Sequence, residues 1–224
     1  MIMKLRCRIF FFAAAGLAFS CFSHAEELDD AATKRVLADI AVSRKMTGAS
    51  EGRFTERRAS PLTRDHVTST GILSLHPDGR FRRETEGRST MVNDGEYLWI
   101  YYPAFGEAEK YAIATPGPAA DAIAILSEGL RLHDVERRFR VIAERTSVGV
   151  RLTLTPKAGR LRKLVRTMHI DLDDSLRLTR LEWLGGQGEQ TVLEFSDERK
   201  LPVDSDRFRF SPPEGIKIVQ PLGN

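Results

Sequence analysis

Residues 92–103 read VNDGEYLWIYYP, and the reading of this stretch decides the fold. Asp94-Gly95 is a tight-turn signal, because glycine accepts the positive φ that hairpin turns demand. The six residues that follow, Tyr97 to Tyr102, are β-favouring or apolar without a break. Pro103 has no N–H to give a ladder and ends the run. A strand apolar at every position is expected to be buried on both faces, which places it centrally in an antiparallel sheet.

Working outward, the preceding fifty residues form a meander of short strands. Residues 52–57 alternate, residues 71–75 alternate, Asp78-Gly79 turns the chain, and residues 81–85 run out again. Arg57, Arg58, Arg80, Arg82 and Arg83 fall here, and on alternating strands they read as the solvated faces of a sheet. Residues 107–114 offer one more strand before Thr115-Pro116-Gly117-Pro118 breaks the pattern. A second set of strands follows at 139–144, 148–155, 164–172, 177–183 and 190–195. Val148, Val150, Leu152 and Leu154 alternate as on a half-buried strand. Gly185-Gly186-Gln187-Gly188 reads as the hairpin turn joining the last two. Residues 208–211 read as a final short strand, stopped by Pro212-Pro213.

Two helices interrupt this pattern. Residues 27–46 carry Leu28, Ala32, Val36, Leu37, Ile40 and Ala41 at helical steps, with Asp29 and Asp30 at the start and Arg44 and Lys45 at the end. Gly48 stops that helix. Residues 119–132 form a second, shorter one with Ile123, Leu126 and Leu130 on its apolar side. Set between two groups of strands and flanked by Pro118 and Gly129, it reads either as a hinged lid or as a plain crossover.

No interior linker divides the 224 residues, so the chain reads as a leader, residues 1–25, and one domain, residues 26–224. Lys4, Arg6 and Arg8 precede an apolar run from Ile9 to Phe19 and a small-x-small site at Ser23-His24-Ala25, the three parts of a cleavable secretory signal. The apolar run is shorter than the roughly 20 residues a spanning helix needs. Those three cations account for the net charge of +3, and the remaining residues balance. Nucleic-acid binding thereby loses its support. Cys7 and Cys21 both fall in the leader, so the processed chain has no thiol chemistry. Lipidation at Cys21 is the alternative, although Phe19 fits a lipobox poorly.

Catalytic patterns are sparse. His66, His76, His133 and His169 lack the paired spacing of a zinc site, and Asp171, Asp173 and Asp174 lack the oxygen-rich loop that holds calcium. No serine sits in a nucleophile elbow. Carboxylate pairs remain open, because their geometry is not visible in sequence. The expectation is a chain that is not an enzyme and uses no cofactor or metal.

Six pieces occur in order: Gly52-x-Phe54-x-x-Arg57, Gly71-x-Leu73, Gly79-Arg80-Phe81-Arg82, Asp94-Gly95-x-x-Leu98-Trp99-x-Tyr101-x-Pro103, Leu152-x-Leu154-Thr155-Pro156 and Phe208-x-Phe210-x-Pro212-Pro213-x-Gly215. The series resembles the periplasmic outer-membrane lipoprotein carrier family, the LolA type. The resemblance implies a mainly β fold with an α lid: a single unclosed antiparallel β-barrel covered by helices around a hydrophobic cavity. It implies a periplasmic carrier, and the cleavable signal, the balanced charge and the absence of cysteine from the processed chain lead to the expectation of a soluble monomer. Such a protein receives lipoproteins from an inner-membrane ABC transporter, shields their acyl chains and delivers them to an outer-membrane acceptor. At about 0.8 kcal/mol per CH₂, a sixteen-carbon chain costs on the order of 12 kcal/mol to leave in water. Phe54, Leu73, Phe81, Trp99, Tyr101, Leu152 and Leu154 are the expected cavity residues, and Ile123, Leu126 and Leu130 the lid. Family members often carry arginine before the proline corresponding to Pro77, where it latches the lid. His76 stands there in this chain, which implies a weaker or pH-dependent latch, or a cargo other than the usual one. If Cys21 is lipidated, a membrane-anchored acceptor or other lipid-binding module is implied instead.

Overall fold

The alternating stretches assemble into one sheet. In a computed structural model, residues 26–62, 65–114, 132, 135–204 and 206–221 are described. Their strands are β1 (Glu26–Glu27), β2 (Ala49–Ala59), β3 (Val67–Leu75), β4 (Phe81–Thr85), β5 (Ser89–Asn93), β6 (Tyr97–Tyr102), β7 (Glu107–Ala112), β8 (Phe139–Thr146), β9 (Gly149–Pro156), β10 (Val165–Asp173), β11 (Leu178–Gly185), β12 (Gln190–Leu201) and β13 (Lys217–Val219). The order across the sheet is β1-β8-β9-β10-β11-β12-β2-β3-β4-β5-β6-β7-β13, with two distinct ends and therefore no closure. Every pairing is antiparallel except β13 beside β7. The long junction between β12 and β2 joins the two groups of strands.

Turn chemistry fixes the register. Between β5 and β6, Gly95 takes φ +99°. Asp94 Oδ1 accepts the N–H groups of Glu96 and Tyr97 at 3.0 and 2.7 Å, and Oδ2 accepts the Trp99 indole N–H at 3.1 Å. Asp78-Gly79 works alike between β3 and β4, with Gly79 at φ +98° and Asp78 Oδ1 accepting from Arg80 N at 3.0 Å.

The strand expected at the centre lies elsewhere. β6 is third from one end of the sheet, and only Leu98 and Trp99 are buried in it. Their side chains point to opposite faces, as adjacent strand residues must. Leu98 joins the main hydrophobic cluster, while Trp99 packs against Phe210 with ring centroids 5.3 Å apart. Both faces are apolar because two different layers meet them.

The core sits on one face. Cα partners in register carry Phe54, Leu73, Phe81 and Leu98 on one side of the sheet with Leu193, Leu181, Ile170, Leu152 and Ala143. Onto it packs α1 (Asp30–Thr47). Asp29 caps this helix by accepting Ala32 N at 2.7 Å, and Gly48 at φ +74° returns its N–H to Arg44 O at 3.2 Å. The expected start at residue 27 shifts to Asp30, because Glu27 pairs in β1 instead. Leu37 and the fully buried Ile40 enter the core cluster. Burying such a side chain stabilises by roughly 1.5–3 kcal/mol. The second expected helix, with Ile123, Leu126 and Leu130, lies outside the described residues; Leu132 is buried in the same cluster.

The C-terminal segment differs from expectation as well. Instead of a strand at 208–211 there is a 3-10 turn (Asp206–Phe208) followed by an irregular strap over the outer face. Arg207 Nε donates to Ser74 Oγ at 2.8 Å and pairs with Glu51, and its Nη2 reaches Glu84 Oε2 at 3.2 Å. Phe208 is buried against His76, and Phe210 covers Trp99 and Tyr101. Pro212 and Pro213 have no N–H for a ladder, so pairing resumes only at β13.

Candidate functional site

Five of the seven expected cavity residues come together. Phe54, Leu73, Phe81, Leu152 and Leu154 are buried in one cluster on the core face, with Leu37 and Ile40 of α1. Trp99 and Tyr101 lie on the opposite face beneath Phe210, with ring centroids 5.3 and 5.8 Å from it. Parity separates them: Trp99 pairs with Val92, whereas Leu98 and Ile100 take the core side.

A cavity of about 540 Å³ opens where the end of α1 meets β3 and β4. Val42, Arg44, Leu75, Phe81, His76 and Leu178 line it. A second hollow of about 190 Å³ shares Ser50, Leu75, Leu178 and Glu198 with the first and continues toward Leu73 and Phe195. Together they lead from the rim into the apolar face. Arg44 sits at that rim, where burial pulls its pKa below the ordinary arginine value and the Glu198 carboxylate opposes the shift.

His76 is at the same rim, 8% exposed. Its Nε2 lies 3.0 Å from Val203 O and its Nδ1 2.6 Å from Asp78 Oδ1, with Arg80 Nη2 3.0 Å from Nε2. Burial works to raise the Asp78 carboxyl. The Arg80 backbone N–H and the His76 side chain outweigh it and hold Asp78 below the usual aspartate value. His76 thus ties the β3–β4 turn to the segment leading to the C-terminal strap; any bond to the second helix falls outside the described residues.

Charged groups on the core face escaped the sequence reading. Arg83, expected on a solvated face, shares the parity of Phe81 and points inward, where it pairs with Glu56. Glu56 shares the parity of Phe54, is 3% exposed, and also accepts from Arg58 Nη2 at 2.7 Å. Strict alternation from Phe54 and Phe81 carries the signal for both. Among the described residues, no group of three or more His, Cys, Asp or Glu side chains is placed to hold a metal ion.

The family model described as outer membrane lipoprotein carrier protein LolA matches residues 45–211, most of the chain and nearly the whole sheet. The chain belongs to that family. Within the LolA family, an outer-membrane lipoprotein carrier protein of Alkalilimnicola ehrlichii is 28% identical over 201 residues, covering 87% of each chain. One of Xylella fastidiosa strain Temecula1 is 23% identical over 224 residues, covering 98% of this chain and 99% of its own. A crystal structure of an uncharacterized conserved protein from Thermus thermophilus superposes with TM-score 0.50 at 10% identity, covering 84% of this chain and 99% of that one. At that identity the likeness is one of fold. LolA-type membership fits an open sheet with one apolar face, and it makes this chain a member of a family of carriers rather than catalysts.

Proposed function

We propose that this chain is a periplasmic lipoprotein carrier that holds acyl chains against the core face of its sheet and moves them from the inner to the outer membrane. What carries the reading is the continuity between the 540 Å³ cavity and the apolar face in a chain of the LolA family. Phe54, Leu73, Phe81, Leu152 and Leu154 form the floor of the lipid site, and α1 forms one wall. Ile123, Leu126 and Leu130 act as the lid, and His76 as the latch at its rim. An inner-membrane lipoprotein-releasing ABC transporter loads the carrier and an outer-membrane acceptor unloads it. The leader is cleaved after Ala25, leaving a monomer without cysteine. Among the described residues no helix is long and apolar enough to cross a membrane.

The test is binding of a diacylated lipopeptide by the processed protein. Saturable binding that the same peptide without acyl chains fails to compete supports the carrier; equal binding of both peptides overturns it. Mass spectrometry of the mature N-terminus decides the anchored alternative: Glu26 as first residue fits the carrier, an acylated Cys21 the acceptor.

A further inference from the structure

The two halves of the core face differ in polarity. From β8 to β12 the inward residues are almost all aliphatic or aromatic, among them Phe139, Leu154, Ile170, Leu181 and Phe195. From β2 to β7 the same face carries Glu56 and Arg83, and beyond them Glu109, whose carboxylate accepts from Tyr111 O–H at 2.8 Å.

Glu56 and Arg83 belong to a layered arrangement. Gly71, opposite Phe54 on β3, has no Cβ, and one placed there would fall 2.6 Å from the Phe54 ring and against the Glu84 carbonyl. The ring therefore lies down over β3. The Arg83 guanidinium carbon stands 4.8 Å from its centroid, within the range of a cation–π contact. Glu56 clamps Arg83 Nη2 with one oxygen and Arg58 Nη2 with the other. Arg83 Nε is buried, and no hydrogen-bond partner meets it among the described residues. Burial pulls the Arg83 pKa down to about 10, which leaves the group charged at neutral pH.

Stability alone does not account for these groups. Exchanging a buried ion pair for apolar residues is often neutral or stabilising, and a buried donor without an acceptor costs free energy. A bound molecule that brought an acceptor would recover that cost. Arg58 is largely exposed and its charge is screened by solvent, so the buried Glu56 carboxylate chiefly offsets the more enclosed Arg83, and the acceptor that fits beside that carboxylate is an uncharged carbonyl rather than a second carboxylate.

We infer that Arg83, held by Glu56 over Phe54, reads the head end of the cargo: its Nε–H donates to an ester or amide carbonyl joining an acyl chain to its polar end, with the chain itself running over β8 to β12. This rests on the carrier reading above and adds an orientation and a preference to it. Pure hydrocarbon fills the apolar half equally well but brings no acceptor for Arg83, whereas an acyl carbonyl does.

The experiment compares two probes on the processed protein: a diacylglyceryl-cysteinyl peptide and a long-chain alkyl pyrene without any carbonyl. Arg83→Met leaves Glu56 paired with Arg58, so no carboxylate is stranded. The expected result is about a tenfold rise in Kd for the acylated peptide, the size of one hydrogen bond to a charged donor, with alkyl-pyrene binding unchanged. Equal losses for both probes, or no loss for either, overturn the inference. Should Arg83→Met fail to fold by circular dichroism, Arg83→Gln carries the same comparison. If the wild-type protein binds neither probe, the carrier reading fails and takes this inference with it; binding of both with no selective effect of Arg83 removes the inference alone.

Discussion

Arg207 closes an ion pair onto Glu51, joining the turn before the C-terminal strap to the outer face of β2. Glu51 is buried and also receives Ser74 Oγ–H at 3.0 Å and Arg199 Nη2 at 2.6 Å. Because Arg199 is mostly exposed, its share is screened by solvent, whereas Arg207 is more enclosed. Arg207→Ala is expected to lower the free energy of unfolding by about 1–3 kcal/mol. A shift in the urea midpoint at neutral pH checks this, and an unchanged midpoint refutes it.

The same carboxylate gives a pH dependence. Burial works to raise the Glu51 pKa, but the hydrogen bonds from Arg199 and Ser74 and the charges of Arg207 and Arg199 outweigh it, leaving the group below the usual glutamate value. A carboxyl with a depressed folded-state pKa contributes stability above its unfolded value, about 4.3, and loses it as pH falls through the folded value. The stability gap between wild type and Glu51→Gln is therefore expected to be full at neutral pH and to close below about pH 4. Urea titrations at several pH values measure the gap; one that is constant with pH is the contrary result.

Gly71→Ala is expected to cost about 1–3 kcal/mol, because the added methyl meets both the Phe54 ring and the Glu84 carbonyl. Combining it with Phe54→Leu should recover only part of the loss, since the carbonyl cannot move aside as a side chain can. Full recovery in thermal denaturation would show that the ring alone makes the conflict.

Leu154 is fully buried on β9, and a glutamate there is expected to compromise folding outright. Leu126→Glu, in the proposed lid, should reduce lipopeptide binding far more than it lowers Tm. A Leu126→Glu protein that unfolds like Leu154→Glu makes the second helix ordinary core, and one that binds normally places it away from the cargo.

His76 faces Asp78, Arg80, Phe208 and the Val203 carbonyl. If His76 is the latch, removing its ring frees the β3–β4 turn from the Val203 carbonyl, and His76→Ala is expected to release a bound lipopeptide faster than the wild-type protein. Equal release rates in both remove His76 from the latch.

Most of the sheet was legible because its signals are local. Asp94-Gly95 and Asp78-Gly79 marked the hairpins they form, and alternation marked strands such as β9 within a residue or two. The position of β6 was not legible, since an apolar run says that both faces are covered without saying by what. Phe210, far along the chain, covers Trp99 and so removes the need for a central position. Arg83 was misread for a different reason. Counting arginines on a strand suggests solvent, whereas counting in steps of two from Phe81 gives the core side, and only the second count respects the pleat.

An open sheet has two unpaired borders, and each is an invitation to pair with another molecule. Here the borders are taken by the two shortest strands, β1 and β13, drawn from opposite ends of the described chain. Behind them lie the longer β8 and β7, which would otherwise present their backbone to a neighbour. Where they pair, at residues 144–145 of β8 and 107–109 of β7, these short strands blunt the borders against self-association. Losing β13 would bare the whole border of β7 and turn it into a template for a second copy.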